Sequence, residues 1–244
     1  MPMSRGLTAS AWLAVLALGT AGCLCPCPNG VVAAAPTTPT AARNSAPMST
    51  MSTMSNAAPA GPVAMGGRLV IWDGDGAGAG AQGWDACDPK AGCSKVGIDS
   101  GSGTSGSTSI KLHGDGPGYI GMGWNLFGWY PENAGVDLSP YTHLTFQMRV
   151  EAKSPADAPD PGSVGVLLGC SRNKNDSATV AVERYAKGFT DGKWHKVEIP
   201  IAMFTKGAGA KFDLGSFWEF RIATWSAAPR HFNIYIDDIA AEKQ

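Results

Sequence analysis

The sequence predicts an all-β protein, an antiparallel β-sandwich of the jelly-roll type, and three observations carry that prediction. Apolar and polar residues alternate with a period of two in segment after segment of the C-terminal half. Clusters of Gly, Ser, Asp and Asn separate these segments, as turns between short strands require. No stretch sustains a helical period, and 32 glycines and 17 prolines among 244 residues would interrupt most helices.

The strands follow one by one. Leu144, Phe146, Met148 and Val150 alternate with Thr145, Gln147 and Arg149. Val197, Ile199 and Ile201 alternate likewise, after the turn residues Thr190-Asp191-Gly192-Lys193. Phe220, Ile222 and Thr224 oppose Arg221, Ala223 and Trp225. Phe232, Ile234 and Ile236 oppose Asn233, Tyr235 and Asp237. Val164, Val166 and Leu168, then Val180 and Val182, supply two more. Leu69 to Trp72, Ile110 to Leu112 and Tyr119 to Leu126 read as shorter strands. Repeated period-two patterning of this kind indicates a sandwich or jelly roll.

The N-terminal part has a different character. Arg5 precedes the short apolar run Ala11 to Leu18, followed by Gly19-Thr20-Ala21-Gly22-Cys23. This is the layout of a signal peptide over 1–23, and the run is too short to span a bilayer. The Ala-Gly-Cys ending resembles a bacterial lipobox, which makes Cys23 the expected lipidation site, although Thr20 stands where Leu is usual. Residues 24–67 are rich in Ala, Pro, Thr, Ser and Met and show no hydrophobic period. Such a segment cannot bury enough surface to offset its ordering entropy, so it reads as a flexible tether. The folded domain is expected over 68–244. The implied location is the cell envelope through a lipid anchor, or the exterior if an ordinary signal peptidase cuts.

Six cysteines divide by place. Cys23, Cys25 and Cys27 sit in the export region without a second half to make a zinc site. Cys87 and Cys93 flank a turn-rich loop, and in an oxidising compartment they are expected to form a disulfide. Cys170 follows an apolar run and reads as a core residue.

Composition and motifs exclude several functions. A formal net charge of -1 gives no field for polyanions, so nucleic acid is not an expected partner. The four histidines are scattered, and neither Gly-x-Ser-x-Gly nor His-Glu-x-x-His occurs. Glu183, Glu198 and Glu219 are the strand carboxylates from which a hydrolase or lyase would have to draw a catalytic pair. The glycine-rich run Asp73 to Gly80 lacks the Lys-Ser/Thr ending of a phosphate loop, while its aspartates suit a hard cation.

Three motifs then point to a family. Asp137-Leu-Ser-Pro-Tyr-Thr-His-Leu-Thr-Phe146 leads into a strand. Asp191-Gly-Lys-Trp-His-Lys-Val-Glu-Ile-Pro200, with Phe204, is the second, and Phe232-Asn-Ile-Tyr-Ile-Asp-Asp-Ile239 closes the chain. In this order they resemble the galactose-binding-like carbohydrate-binding modules of families 11, 4 and 30 and the related CIA30 group, over about Leu69 to Ala240. The resemblance implies a jelly-roll fold and non-catalytic binding of a polysaccharide or oligosaccharide by a monomer. It also implies a structural calcium ion near Asp73 or Asp75 and Asp237. Sugars stack on aromatic rings while polar side chains meet their hydroxyls. The strand alternation puts Arg221, Trp225 and Tyr235 on faces opposite the core, with Gln147 and Arg149 outward on their own strand. One sheet face holding all five is therefore the expected glycan surface, with Trp124, Trp129 and Tyr130 as a loop wall beside it. An envelope assembly protein using the same sandwich for protein contacts is the first alternative, and a small hydrolase or lyase the second.

Overall fold

The computed structural model describes residues 61–78, 82–88, 92–104, 107–127, 135–170, 176–206 and 212–244. All belong to the second of two units of the chain, 54–244. Cys23, the expected tether up to residue 60, Trp129 and Tyr130 lie outside the described residues, as do the side chains of 82, 86–88 and 92–94.

Ten strands are present among the described residues: β1 Val63–Met65, β2 Arg68–Trp72, β3 Gln82–Asp88, β4 Gly92–Ser100, β5 Thr108–Asn125, β6 His143–Ala152, β7 Gly165–Cys170, β8 Val180–Ala181, β9 His195–Pro200 and β10 Phe217–Glu242. One short helix, α1 Ala202–Thr205, follows β9. β1 lies ahead of the domain start expected at Arg68: the last residues assigned to the tether pair antiparallel with β2, Val63 opposite Val70.

Every pairing is antiparallel, and β5 and β10 organise the rest. They run side by side from Asn125↔Glu219 to Ile110↔Ile236. The sequence suggests two strands in each region, split at Gly116-Pro117-Gly118 and at Ala227-Ala228-Pro229. In the structure each region is one long strand that bends there instead. Ser226 pairs with Gly118 and Arg230 with Gly116, so three residues of β10 oppose one of β5. Gly116 and Gly118 take φ of 103° and 90°, which a side chain would strain, and the surplus residues make a bulge that turns the ribbon.

The bend divides the strands into two layers, with β2 pairing the C-terminal end of β10 and β1 pairing β2. In the first, β3, the C-terminal half of β5, the N-terminal half of β10, β7 and β8 lie side by side. In the second, β4, the other half of β5, the other half of β10, β6 and β9 do the same. Geometry requires the layers to face each other. Phe146 of β6 adjoins Gln147, which pairs with Asp237, 17 residues beyond Phe220 and about 55 Å along an extended strand. Yet the Phe146 and Phe220 rings are 5.4 Å apart at 72°. The core is the space between, filled by Ile120, Met122, Leu168 and Ile222 from one layer and Leu112, Met148, Val197 and Ile234 from the other.

The expected alternation is therefore right within each strand. Even-numbered residues of β10 are buried from Phe220 to Ser226 and again from Phe232 to Ile236, on either side of the bulge. Cys170 is buried, as expected of a core residue. The register sets Cys87 directly opposite Cys93. That pairing places the two residues of the expected disulfide side by side on the backbone, and their side chains lie outside the described residues.

Candidate functional site

The outward face of the first layer can be built row by row from the register. Glu219 of β10 aligns with Asn125 and Gly169. The next row is Trp84, Gly123, Arg221 and Leu167. Below it come Ala86, Gly121, Ala223 and Gly165. The last is Tyr119 beside Trp225. The third row is thus a floor of glycine and alanine crossing four strands. On one side stand Trp84, Arg221 and Leu167, and on the other Tyr119 and Trp225. At about 4.8 Å per strand the floor runs roughly 15 Å, and the rims are about 13 Å apart along β10. The result is a shallow trench whose floor is partly covered, with the Tyr119 ring over Gly121 and the Thr179 methyl over Gly165.

Its rims are unlike the rest of the surface. Trp225 is 60% exposed and Tyr119 43% exposed, although both are large aromatic groups that usually bury. Tyr119 leans over the floor: a Cβ on Gly121 would come 2.8 Å from its hydroxyl oxygen. Burial pushes the Tyr119 hydroxyl above its usual range; Arg221 opposes the shift, and Asp176 and Glu219 add to it. At neutral pH the hydroxyl keeps its proton and can donate.

The other rim is held by charge. Glu219 is almost fully buried although it faces outward. Trp84 Nε1 donates to Glu219 Oε1, while Arg221 Nε and Nη2 donate to Oε2. Arg221 Nη1 donates to Asp176 Oδ2 at 2.8 Å. Burial works against the charge on Arg221, but the two carboxylates outweigh it and raise its pKa further. The Arg221 guanidinium also lies 5.6 Å from the centre of the Trp84 ring. Glycines make room for this cluster. A Cβ on Gly123 would overlap Trp84 Nε1 and Glu219 Oε1, and one on Gly169 would come 2.8 Å from Glu219 Oε2.

The sequence-predicted residues divide between places. Arg221 and Trp225 lie in the trench. Tyr235, Arg149 and Gln147 do not join them, because they sit on the outward face of the second layer, on the far side of the core. The reason is the bend: odd residues of β10 point outward in both halves, but outward reverses direction once the ribbon folds over. Tyr235 is also buried, with Arg149 4.5 Å and Lys111 5.3 Å from its ring centre, and Arg149 reaches Trp194 at 5.1 Å. Trp124 is not a loop wall. It points into the core and packs edge-on against Trp72 at 6.1 Å. Two trench residues, Trp84 and Tyr119, escaped the sequence reading. Alternate glycines at Gly121 and Gly123, two and four residues beyond Tyr119, were the available signal of a bare outward face.

The residues named for calcium make bonds within the protein. Asp73 Oδ1 accepts from the backbone N–H groups of Asp75, Gly76 and Ala77, and so closes its own turn. Asp237 Oδ2 accepts from Thr104 N at 2.8 Å, Thr104 Oγ1 at 3.1 Å and Ser107 Oγ at 3.2 Å, while Oδ1 takes Asp238 N. Among the described residues no three His, Cys, Asp or Glu side chains converge to hold a metal ion. Oδ1 of Asp73 and both oxygens of Asp237 thus accept from protein donors.

A cavity of about 620 Å³ opens on the second layer's face, lined by His113, Asp115, Glu151, Asp157, His231 and Asn233 among others. Its polar groups pair with one another, His231 Nδ1 with Asp115 Oδ1 at 2.6 Å and His113 Nδ1 with Asn233 Oδ1 at 2.9 Å. No exposed aromatic ring lines it.

A two-layer antiparallel sandwich bearing a shallow, aromatic-rimmed trench on one sheet is the build of a glycan-binding module. The chain belongs to the family described as carbohydrate binding domain 30, whose sequence profile matches residues 70–243. Its fold is similar to the family 30 carbohydrate-binding module of the cellulosomal cellulase Cel9D-Cel44B of Clostridium thermocellum. That likeness has a TM-score of 0.50 at 18% identity and covers 66% of this chain and 91% of that one. The family 11 module of Lic26A-Cel5E of the same organism matches with TM-score 0.48 at 15% identity, over 74% of this chain and 97% of that one. A β-1,2-glucanase from Parabacteroides distasonis also matches, at TM-score 0.48 and 14% identity, over 71% of this chain but 24% of its own. No curated protein sequence matches the chain.

Proposed function

We propose that the trench is the surface by which this carbohydrate-binding protein holds a polysaccharide or oligosaccharide chain, without cleaving it. The observation that carries the reading is the glycine and alanine floor beside the exposed rings of Tyr119 and Trp225. Pyranose rings present C–H faces that stack on Trp and Tyr, and Tyr119 and Asp176 are placed to meet hydroxyl groups. A shallow trench lets a long chain pass through and engage at an internal stretch. Affinity per site is expected to be modest, because sugars give up good hydration on binding.

The carboxylates favour binding over chemistry. Both oxygens of Glu219 already accept from Trp84 and Arg221, which leaves neither for proton transfer to a glycosidic bond. Glu183 lies in the short turn Val182–Arg184 and Glu198 on β9, neither in the trench. The export layout around Cys23 supports a tethered module at the cell envelope. Metabolic labelling with a radioactive fatty acid, lost in Cys23→Ser, would test that anchor.

The binding test is affinity electrophoresis of the full chain in gels containing mixed-linkage β-glucan, glucomannan, xylan or agarose. At least one gel should retard the protein, and Tyr119→Ala with Trp225→Ala should weaken retention by tenfold or more, about 1.4 kcal/mol. Retention unchanged in the double variant would exclude the trench. Release of soluble sugar from any of these polymers would make the protein an enzyme.

A further inference from the structure

We infer that Glu219 is a positioning residue of the trench: its buried carboxylate fixes the Trp84 indole and the Arg221 guanidinium before a ligand arrives. The inference rests on the reading of the trench as the glycan site and adds how that site is kept in shape. Four observations converge on it.

Glu219 occupies an outward position, yet only 1% of its side chain is exposed. Surface carboxylates are normally solvated, so a buried one needs donors for its lone pairs. It has them from two directions, Trp84 Nε1 on one oxygen and the fork of Arg221 on the other. The glycines on both neighbouring strands, Gly123 and Gly169, supply the space that the carboxylate and the indole N–H occupy. Finally, the free arm of Arg221 reaches Asp176, whose side chain stays 47% exposed.

The chain of contacts therefore runs from a buried anchor to an exposed rim. Trp84 has a single polar atom, and Glu219 holds it against the floor, which sets the plane of the ring. Arg221 has both sides engaged and does not need to be a free ligand donor. It carries Asp176, whose side chain stays 47% exposed at the rim. A ligand that binds weakly gains most from side chains already ordered, since ordering them at the moment of binding subtracts from affinity.

The test uses the full chain and two readouts. Without ligand, near-ultraviolet circular dichroism reports how firmly indoles are held. Glu219→Ala should remove part of that signal, and the same substitution in a Trp84→Phe background should change it far less. With ligand, retention by whichever polysaccharide retards the native protein should fall about tenfold in Glu219→Ala. Trp84→Phe should cost a similar factor, and the double variant should cost clearly less than the product of the two. Glu219→Gln keeps an acceptor for Trp84 but loses the charge facing Arg221, so it should retain most of the indole signal with weakened retention; it also serves if Glu219→Ala does not fold. Unchanged dichroism in both Glu219 variants would overturn the inference, as would effects of Glu219 and Trp84 that simply multiply. If the native protein is retained by no polysaccharide, the glycan reading fails, and the dichroism comparison still decides whether Glu219 holds Trp84.

Discussion

The two outward faces of the sandwich share strands β5 and β10 but solve different problems. The first layer's face is stripped to glycine and alanine along its floor and keeps Trp225 and Tyr119 in water. The second layer's face is filled around Tyr235. Tyr235 is buried under Arg149 and Lys111, Arg149 spans to Trp194, and Lys111 pairs with Asp99 at 3.2 Å. Cations lie over aromatic rings on this face, where the long aliphatic stems of Lys and Arg cover apolar surface. The same residue types thus serve as a recognition surface where the sheet is bare and as packing where it is crowded. What distinguishes a binding aromatic from a structural one here is its neighbours across the strands.

The sharpest way to break this comparison is to exchange the roles. Tyr235→Ala should destabilise by about 2–4 kcal/mol, as loss of a buried aromatic does, while leaving glycan retention unchanged where the protein remains folded. Tyr119→Ala with Trp225→Ala should do the reverse and leave the melting temperature within a degree or two. Loss of retention in Tyr235→Ala at a temperature well below melting would move the site to the other face.

A smaller effect concerns the hinge between the faces. β3 carries Trp84 into the trench, whereas β4 pairs along the second layer, and Cys87 opposite Cys93 joins them. A disulfide there would close a short loop worth about 2 kcal/mol. Cys87→Ser should lower the melting temperature by roughly 4–8 °C under oxidising conditions, and non-reducing peptide mapping should recover the linked pair. Two alkylatable thiols at 87 and 93 in protein prepared without reductant would remove the bridge.

The smallest expected effect lies on the second layer. Asp238 takes a φ of 51°, and burial, then Asp237, raises its pKa above the usual carboxylate value. Because the folded value exceeds the unfolded one of about 3.9, the folded state disfavours the charged form at neutral pH, and stability is gained as pH falls toward that value. Asp238→Asn tolerates the left-handed backbone and removes the charge, so it should raise the melting temperature at pH 7 by about 1–3 °C. A fall, especially one reproduced by adding a chelator to the native protein, would mean that these carboxylates do hold a cation.

Much of this architecture was legible in the sequence. Period-two alternation marked Leu144 to Val150 and Phe232 to Ile236 as strands with the correct face inward. The family resemblance was confirmed by the match over 70–243. The site was only half legible. Arg221 and Trp225 were found because alternation excludes them from the core. Tyr235 obeys the same alternation and lies on the opposite side, since parity along a strand carries no information about a fold-over at Ala227 to Pro229. For Trp124 the sequence leaves both a loop wall with Trp129 and a core position open, and the structure puts it in the core, continuing the inward series of Ile120 and Met122. Trp84 has no informative neighbours in sequence; its role depends on Gly123, Glu219 and Arg221, which only the register brings to it.

The central claim is that ligand lies along the floor of the first layer. Titration of the isotopically labelled protein with a hexasaccharide of the retarding polymer, followed by backbone amide resonances, tests it most directly. The account predicts the largest shifts at Gly121, Gly123, Gly165, Ala223 and the Trp84 and Trp225 indoles, with Lys111, Asn233 and Tyr235 unmoved. Shifts concentrated at His113, Asn233 and Glu151, with a silent glycine floor, would contradict it.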